Sequence, residues 1–317
     1  MSRIHEALKK AEQERAAQGG GTGEPEYQAV VMSAASAPVA AEPVLSGVAE
    51  NLSSGGVPLT SAMPLFTSPF NLDTLMARSI QQSWVPDETT MLFLNGEDGV
   101  RGTEEFRTLR SRLYALRDKM ALKKILVTSA LPKEGKSFTS ANLAQVLARQ
   151  HGRRVLLIDA DLRNPRLHIM LGTTSAPGLT NYLLGGSDEF SIMQRGKMEN
   201  LFFIPSGQEL SNPAELVASG RLKLLLQRVE SLFDWIIVDS PPAVPVSDSS
   251  VLAKACDGVL MVVRSNSTPV DMARRARQEF PDETLVGIVL NGTNPDILPY
   301  TRYYYDQDQS STNESKT

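Results

Sequence analysis

An α/β fold, a mostly parallel sheet with helices on both faces, is predicted by two features of this sequence. Six short runs of β-branched and apolar residues alternate with helical stretches. A Gly-Lys-Ser tripeptide stands where the first of those runs passes into the following helix. The runs are KKILVTS, RRVLLIDA, NLFFIPS, DWIIVDS, DGVLMVV and TLVGIVL, each suited to a strand buried on both faces. Between them, helices are expected from Ser137 to Gln150, from Pro213 to Leu232 and over STPVDMARRARQEF. In the last, Thr268 is the expected N-cap, with Pro269 at the first turn and Asp271 near the positive end of the helix.

Ahead of this domain the pattern is different. Ile4, Leu8 and Ala11 recur at helical spacing among Lys9, Lys10, Glu12, Glu14 and Arg15, which predicts a short amphipathic helix over residues 1–18. From Ala16 to Ala77 there is no Lys or Arg, and Gly, Ala, Ser, Pro and Val dominate, so residues 19–89 are expected to be a flexible linker. The folded domain is expected over 90–297, followed by a tail, 298–317, that holds Tyr300, Tyr303, Tyr304 and Tyr305. Four of the chain's seven tyrosines crowd there, in a polar segment that cannot form a core.

Bulk properties narrow the function classes. A chain of 317 residues that is 41% hydrophobic and 21% charged is an ordinary folded, soluble mixture. The net charge of -4 gives no electrostatic reason to expect nucleic acid. One cysteine, Cys256, excludes an intramolecular disulfide and is expected to be a buried small apolar residue. His5, His151 and His168 lack metal-binding spacing. No run approaches the roughly 18 to 20 apolar residues of a membrane span, and no signal-peptide apolar region opens the chain, so a cytoplasmic location is expected.

The chemistry gathers at strand ends. The first strand runs into ALPKEGKSFTSANLA, where backbone N–H groups and a helix dipole can hold phosphates, Lys136 can neutralise charge and the Ser137 hydroxyl can bind Mg²⁺. Ala130 stands where the full pattern has its first Gly, while Pro132 and Gly135 can still shape a compact loop. Asp159 and Asp161 close the second strand in LLIDADLRNP, and Asp239 closes the fourth in WIIVDSPP. Ligands collect at the carboxyl ends of parallel strands, so three acids and a phosphate loop should converge. The class is therefore P-loop NTPase-like; a plainer role for Asp159 and Asp161 is to cap the next helix.

PKEGKS, LLIDADLRNP and IIVDSPPAVPVSDS, in this order and spacing, resemble the Walker A, A′ and B motifs of the bacterial tyrosine kinases, P-loop autokinases of polysaccharide export. The resemblance covers roughly residues 101–305, and no HRD or DFG element of a eukaryotic-type kinase is present. It implies ATP and Mg²⁺ as cofactors, contacted by Pro132, Lys133, Glu134, Gly135, Lys136, Ser137 and Phe138, with Asn291 at the adenine. Ser137, Asp161 and Asp239 would hold the metal, and Asp159 is the candidate base for a tyrosine hydroxyl, making Lys136, Asp159, Asp161 and Asp239 the catalytic set. Arg163 and Asp248 are expected to support these groups from behind.

The same resemblance makes Tyr300, Tyr303, Tyr304 and Tyr305 phosphoacceptors, modified in trans by an adjacent subunit. It also gives Glu104, Arg107 and Arg110, an E-x-x-R-x-x-R face on a helix, a role in ring assembly. Implied partners are further copies of the chain, a membrane-embedded polysaccharide chain-length regulator that recruits the kinase to the inner face of the membrane, and a tyrosine phosphatase. The competing reading is a Min- or Par-type switch ATPase. Those carry a K-G-G-x-G-K-[ST] loop, where this chain has Leu131, Pro132 and Lys133 at the first three positions. A third is an adaptor that binds nucleotide without turnover.

Overall fold

Each of the six apolar runs forms a strand, and two strands of two residues join them. The computed structural model describes residues 71–93, 102–210 and 212–293, all within one unit. In chain order the elements are α1 (Leu72–Arg78), β1 (Ile80–Gln81), α2 (Thr103–Arg117), β2 (Lys124–Ser129), α3 (Lys136–Ala148), β3 (Val155–Asp159), α4 (Leu167–Leu171), α5 (Leu179–Leu183), β4 (Gln194–Arg195) and β5 (Leu201–Ile204). Then follow α6 (Pro213–Ala218), α7 (Arg221–Val229), a 3-10 turn (Glu230–Leu232), β6 (Trp235–Asp239), α8 (Asp248–Ala253), β7 (Gly258–Arg264), α9 (Val270–Gln278) and β8 (Leu285–Asn291).

The strands form an eight-stranded sheet in the order β1-β4-β5-β3-β6-β2-β7-β8. All pairings are parallel except the short β4–β5 contact. Because β6 is inserted between β2 and β3, the chain leaves β2 for one side of the sheet and reaches β7 on the other. That reversal puts the carboxyl ends of β2, β6 and β3 side by side, where a parallel sheet opens a crevice.

Alternation of side chains across each strand divides the core into two layers. Ile125, Val127, Leu157, Phe203 and Ile237 face α2 and α3, packing with Phe106, Leu113, Leu143 and Leu147. Leu126, Leu156, Ile158, Phe202, Ile236 and Val238 face the other way, onto Leu179, Leu222, Leu225 and Leu252 of α5, α7 and α8. Both faces are covered, which is why the runs carry no polar alternation.

The folded unit reaches further toward the N-terminus than the expected boundary near 90. Asn71 caps α1, its Oδ1 accepting the Thr74 N–H at 2.8 Å, and β1 enters the sheet with Ile80 opposite Gln194. Leu75, Trp84, Met91 and Phe93 are buried. Polar groups on α3 fasten this stretch: Asn142 Oδ1 accepts the Leu92 N–H at 2.8 Å and Gln145 Oε1 accepts the Phe93 N–H at 3.2 Å. A linker composition upstream hid one capped helix and several large apolar side chains, each worth about 1.5–3 kcal/mol when buried.

Two helix expectations are also corrected. The stretch from Pro213 to Leu232 is not continuous: Gly220, at φ 74°, breaks it between α6 and α7. At α9 the N-cap is Pro269, not Thr268, whose hydroxyl turns back to accept the Arg264 N–H at 3.0 Å. Cys256 is half-buried against the core rather than enclosed by it, and burial still pushes its thiol up to about 12. Among the described residues no helix is long and apolar enough to cross a membrane. The expected helix over 1–18, the linker up to residue 70 and the tyrosine tail lie outside the described residues.

Candidate active site

The loop from β2 to α3 is built on two left-handed residues. Gly135, at φ 96°, precedes Lys136, the first residue of α3. A Cβ at Gly135 would overlap the Asn291 carboxamide, so both conformation and space demand glycine. Lys133 is also left-handed, at φ 66°, at a cost of roughly 1–2 kcal/mol for a residue with a side chain. Pro132 and Lys133 are exposed, and Glu134 is buried.

Lys136 and Ser137 open α3, where backbone N–H groups lack helical acceptors and the dipole favours anions. The Lys136 ammonium bonds Asp161 Oδ2 at 2.8 Å, and the Ser137 hydroxyl donates to Asp239 Oδ2 at 2.6 Å. Ser140 Oγ lies 2.9 Å from Asp239 Oδ1 and 2.9 Å from the Lys136 carbonyl. Asp159 and Asp239 are register partners on β3 and β6. Asp159 Oδ2 accepts the Leu167 N–H at 3.1 Å, and its buried Oδ1 has no partner. Asp161 Oδ1 accepts the Asn164 N–H at 3.0 Å. The structure thus brings the four residues of the predicted catalytic set into one cluster.

The electrostatics of that cluster follow from burial. Asp159 and Asp239 are fully enclosed. Burial, then the neighbouring Asp239, holds the Asp159 carboxyl well above the ordinary carboxylate range. Burial also raises Asp239, against the opposing pull of Lys136 and the Ser137 hydroxyl. For Lys136, burial works against the charge, but Asp239 and Asp161 outweigh it and raise the ammonium's pKa. One buried cation is shared among three acids. A carboxyl with a raised pKa suits proton acceptance at neutral pH, and hard oxygen donors at Ser137, Asp161 and Asp239 suit Mg²⁺.

Other expected residues take different positions. Asn291 Nδ2 donates to the Glu134 carbonyl at 2.9 Å and its Oδ1 accepts the Gly292 N–H at 2.9 Å, so the carboxamide braces the loop and retains one N–H for a ligand. Phe138 packs its ring on Phe106, 5.9 Å between centroids. Arg163 grips the buried Asp248 through two bonds of 2.8 and 3.1 Å. On α2, Glu104 and Arg107 pair with one another, and Arg110 donates to the Val146 carbonyl of α3 at 3.2 Å. Ser140 escaped the sequence reading although it lies three residues after Ser137, on the same helical face. Thr268 was expected only as a helix N-cap, and no signal in the sequence singled out Arg264.

Sheet, loop and acidic strand ends together define a P-loop nucleotide-binding protein, and a family model described as an AAA domain matches residues 123–271. The tyrosine-protein kinase YwqD of Bacillus subtilis (strain 168) is 36% identical over 205 residues, spanning 64% of this chain and 85% of that protein. The chain belongs to the bacterial tyrosine kinase family and is a protein-tyrosine kinase. The tyrosine-protein kinase CpsD of Streptococcus agalactiae is 35% identical over 185 residues, or 56% of this chain and 79% of CpsD. Among solved structures, the kinase domain of Escherichia coli tyrosine kinase ETK superposes with a TM-score of 0.58 at 27% identity, covering 69% of this chain and 91% of that one. The chimerical protein CapA2B2 gives 0.60 at 28% identity, with 70% and 98% covered.

Proposed function

We propose that this kinase transfers the γ-phosphoryl group of ATP to its own C-terminal tyrosines, Tyr300, Tyr303, Tyr304 and Tyr305, in trans between adjacent copies, and so regulates exopolysaccharide polymerisation and export. The observation that carries the reading is the meeting of Lys136, Ser137, Asp161 and Asp239 with the buried, partner-poor Asp159 at the carboxyl ends of three adjacent strands.

A tyrosine hydroxyl, with a pKa near 10, is a weak nucleophile at pH 7, so most of the catalysis is positioning and charge stabilisation. The N–H groups at the start of α3 and the Lys136 ammonium hold the phosphates. The phenol oxygen forms the new O–P bond, the bond between the β- and γ-phosphates breaks, and ADP leaves with that electron pair. Asp159 takes the phenol proton on its partnerless Oδ1. Ser137, Asp161 and Asp239 would hold Mg²⁺, which would supply charge neutralisation at the phosphates.

The tether supports the tail as substrate. β8 ends at Asn291, nine residues before Tyr300, a length of chain that spans at most about 30 Å at roughly 3.3–3.6 Å per residue. Glu104, Arg107 and Arg110 on α2 are the proposed ring contacts. The proposed activator is a membrane-embedded chain-length regulator that brings the kinase to the inner face of the membrane, with a tyrosine phosphatase resetting the tail.

The test is an anti-phosphotyrosine blot after incubation with Mg·ATP. Tail-truncated protein with an intact Lys136 is mixed with full-length Lys136→Met, and signal on the full-length partner is expected. Phosphate release without phosphotyrosine would instead indicate a nucleotide-driven switch and overturn the reading.

A further inference from the structure

Glu134 is an odd choice for an anion-binding loop, since a carboxylate beside phosphates repels them. Its geometry resolves the oddity. The side chain is buried at 3% exposure, and both its oxygens are engaged outside the Lys136 cluster's own bonds, by Leu131 and Thr268. Oε2 accepts the Leu131 N–H at 2.9 Å, which joins the first half of the loop to the second. Oε1 bonds the hydroxyl of Thr268, on the turn between β7 and α9. That hydroxyl accepts the Arg264 N–H at 3.0 Å, so its own hydrogen is free to go to Glu134.

The turn is itself closed, the Thr268 N–H donating to the Arg264 carbonyl at 3.1 Å. It returns a second tie, from the Arg264 guanidinium to the Lys133 carbonyl at 3.1 Å, across the left-handed residue of the loop. The residues of both ties, Leu131, Lys133, Glu134, Arg264 and Thr268, line one cavity of about 400 Å³. The loop therefore does not hold its shape alone; an adjacent strand exit holds it. A left-handed backbone at a non-glycine residue persists only where such surroundings fix it.

We propose that Glu134 is a positioning residue for nucleotide binding, which locks the loop 131–135 in its phosphate-holding shape by linking Leu131 to Thr268. The inference rests on the reading of Gly135 to Ser137 as the phosphate cradle, and it gives Glu134 and Thr268 a joint role beyond that reading. Neither side chain need touch the nucleotide.

The experiment is a titration of full-length protein with a fluorescent ADP analogue in Mg²⁺, paired with KM for ATP in the kinase assay. Glu134→Ala and Thr268→Val should each weaken binding about tenfold, the scale of one hydrogen bond to a charged group. The double variant should be no more than about twofold weaker than Glu134→Ala alone, and Thr268→Ser should recover the loss seen in Thr268→Val. KM for ATP should rise in parallel, with kcat at saturating ATP changed less. Should Glu134→Ala fail to fold, the Thr268→Val and Thr268→Ser pair decides.

Additive losses in the double variant, or nucleotide binding at the wild-type level in Thr268→Val, would overturn the proposal. Lys136→Met separates the two levels. If it binds as tightly as wild type, the cradle reading fails and the proposal with it. If it binds weakly while the Glu134 and Thr268 variants bind normally, only the proposal fails.

Discussion

Asp159 and Asp239 stand opposite one another in register at the carboxyl ends of β3 and β6, both fully enclosed. Asp239 has both oxygens bonded by serine hydroxyls, whereas one oxygen of Asp159 has no partner. Two neighbouring carboxyls thus have unequal environments, and unequal proton affinities are the usual basis for dividing roles in a site.

Burial, then Asp239, raises Asp159 well above its ordinary 3.8. A group with a raised folded-state pKa binds its proton more tightly when folded. Its contribution to stability is therefore full below the unfolded value and is lost as pH rises through the folded one. Asp159→Asn should melt about 2–4 °C higher than wild type at pH 8, and the gain should shrink as pH falls toward 4. The same variant should lose phosphotransfer. Thermal melts across pH read the first; a gain that persists at pH 4 would contradict it.

Lys136→Met removes the cation shared by three buried acids. Autophosphorylation should vanish, while circular dichroism still shows a folded protein. Its melting temperature should fall most at pH 8 and approach wild type on acidification, as the carboxyls take up protons. Retained phosphotyrosine would displace Lys136 from the site.

The two serines on Asp239 should separate stability from activity. Ser140→Ala leaves a buried carboxylate oxygen without its hydroxyl and should cost about 1–3 kcal/mol in denaturant unfolding. Ser137→Ala strikes the residue proposed to hold the metal, so its larger effect should be on kcat/KM.

Residues 71–89 carry core side chains into both layers, Leu75 on one face of the sheet and Trp84 on the other. A chain beginning at residue 90 should therefore be much less stable than one beginning at 71. Trp84→Ala alone should cost about 3–5 kcal/mol. Equal unfolding midpoints for the two truncations would refute this.

Each phosphotyrosine adds about -1.5 to -2 charge, so filling the four tail positions adds roughly -6 to -8. Sedimentation of ATP-treated and phosphatase-treated protein should give different masses, smaller after ATP. Identical masses would remove the tail from control of assembly.

How far the sequence could be read depended on the range of the interactions involved. The long strands were legible because burial on both faces leaves an unbroken apolar run, as in VLLID and WIIVD. β1 and β4 were not, since two residues carry no periodicity and the pairing of one with the other joins positions over a hundred apart. The acids at strand ends followed from motif order. The ties through Thr268, Arg264 and Asn291 did not, because they join segments more than 130 residues apart, and Thr and Asn also serve as ordinary turn formers.

Twelve of the thirteen residues of α3 are buried, polar ones included. A helix gripped on every side can neither rotate nor slide without breaking bonds on several fronts at once, so it is a fixed floor for the loop that precedes it. Any adjustment to a bound ligand is then expected in the few residues before it, where Pro132 and Lys133 are exposed.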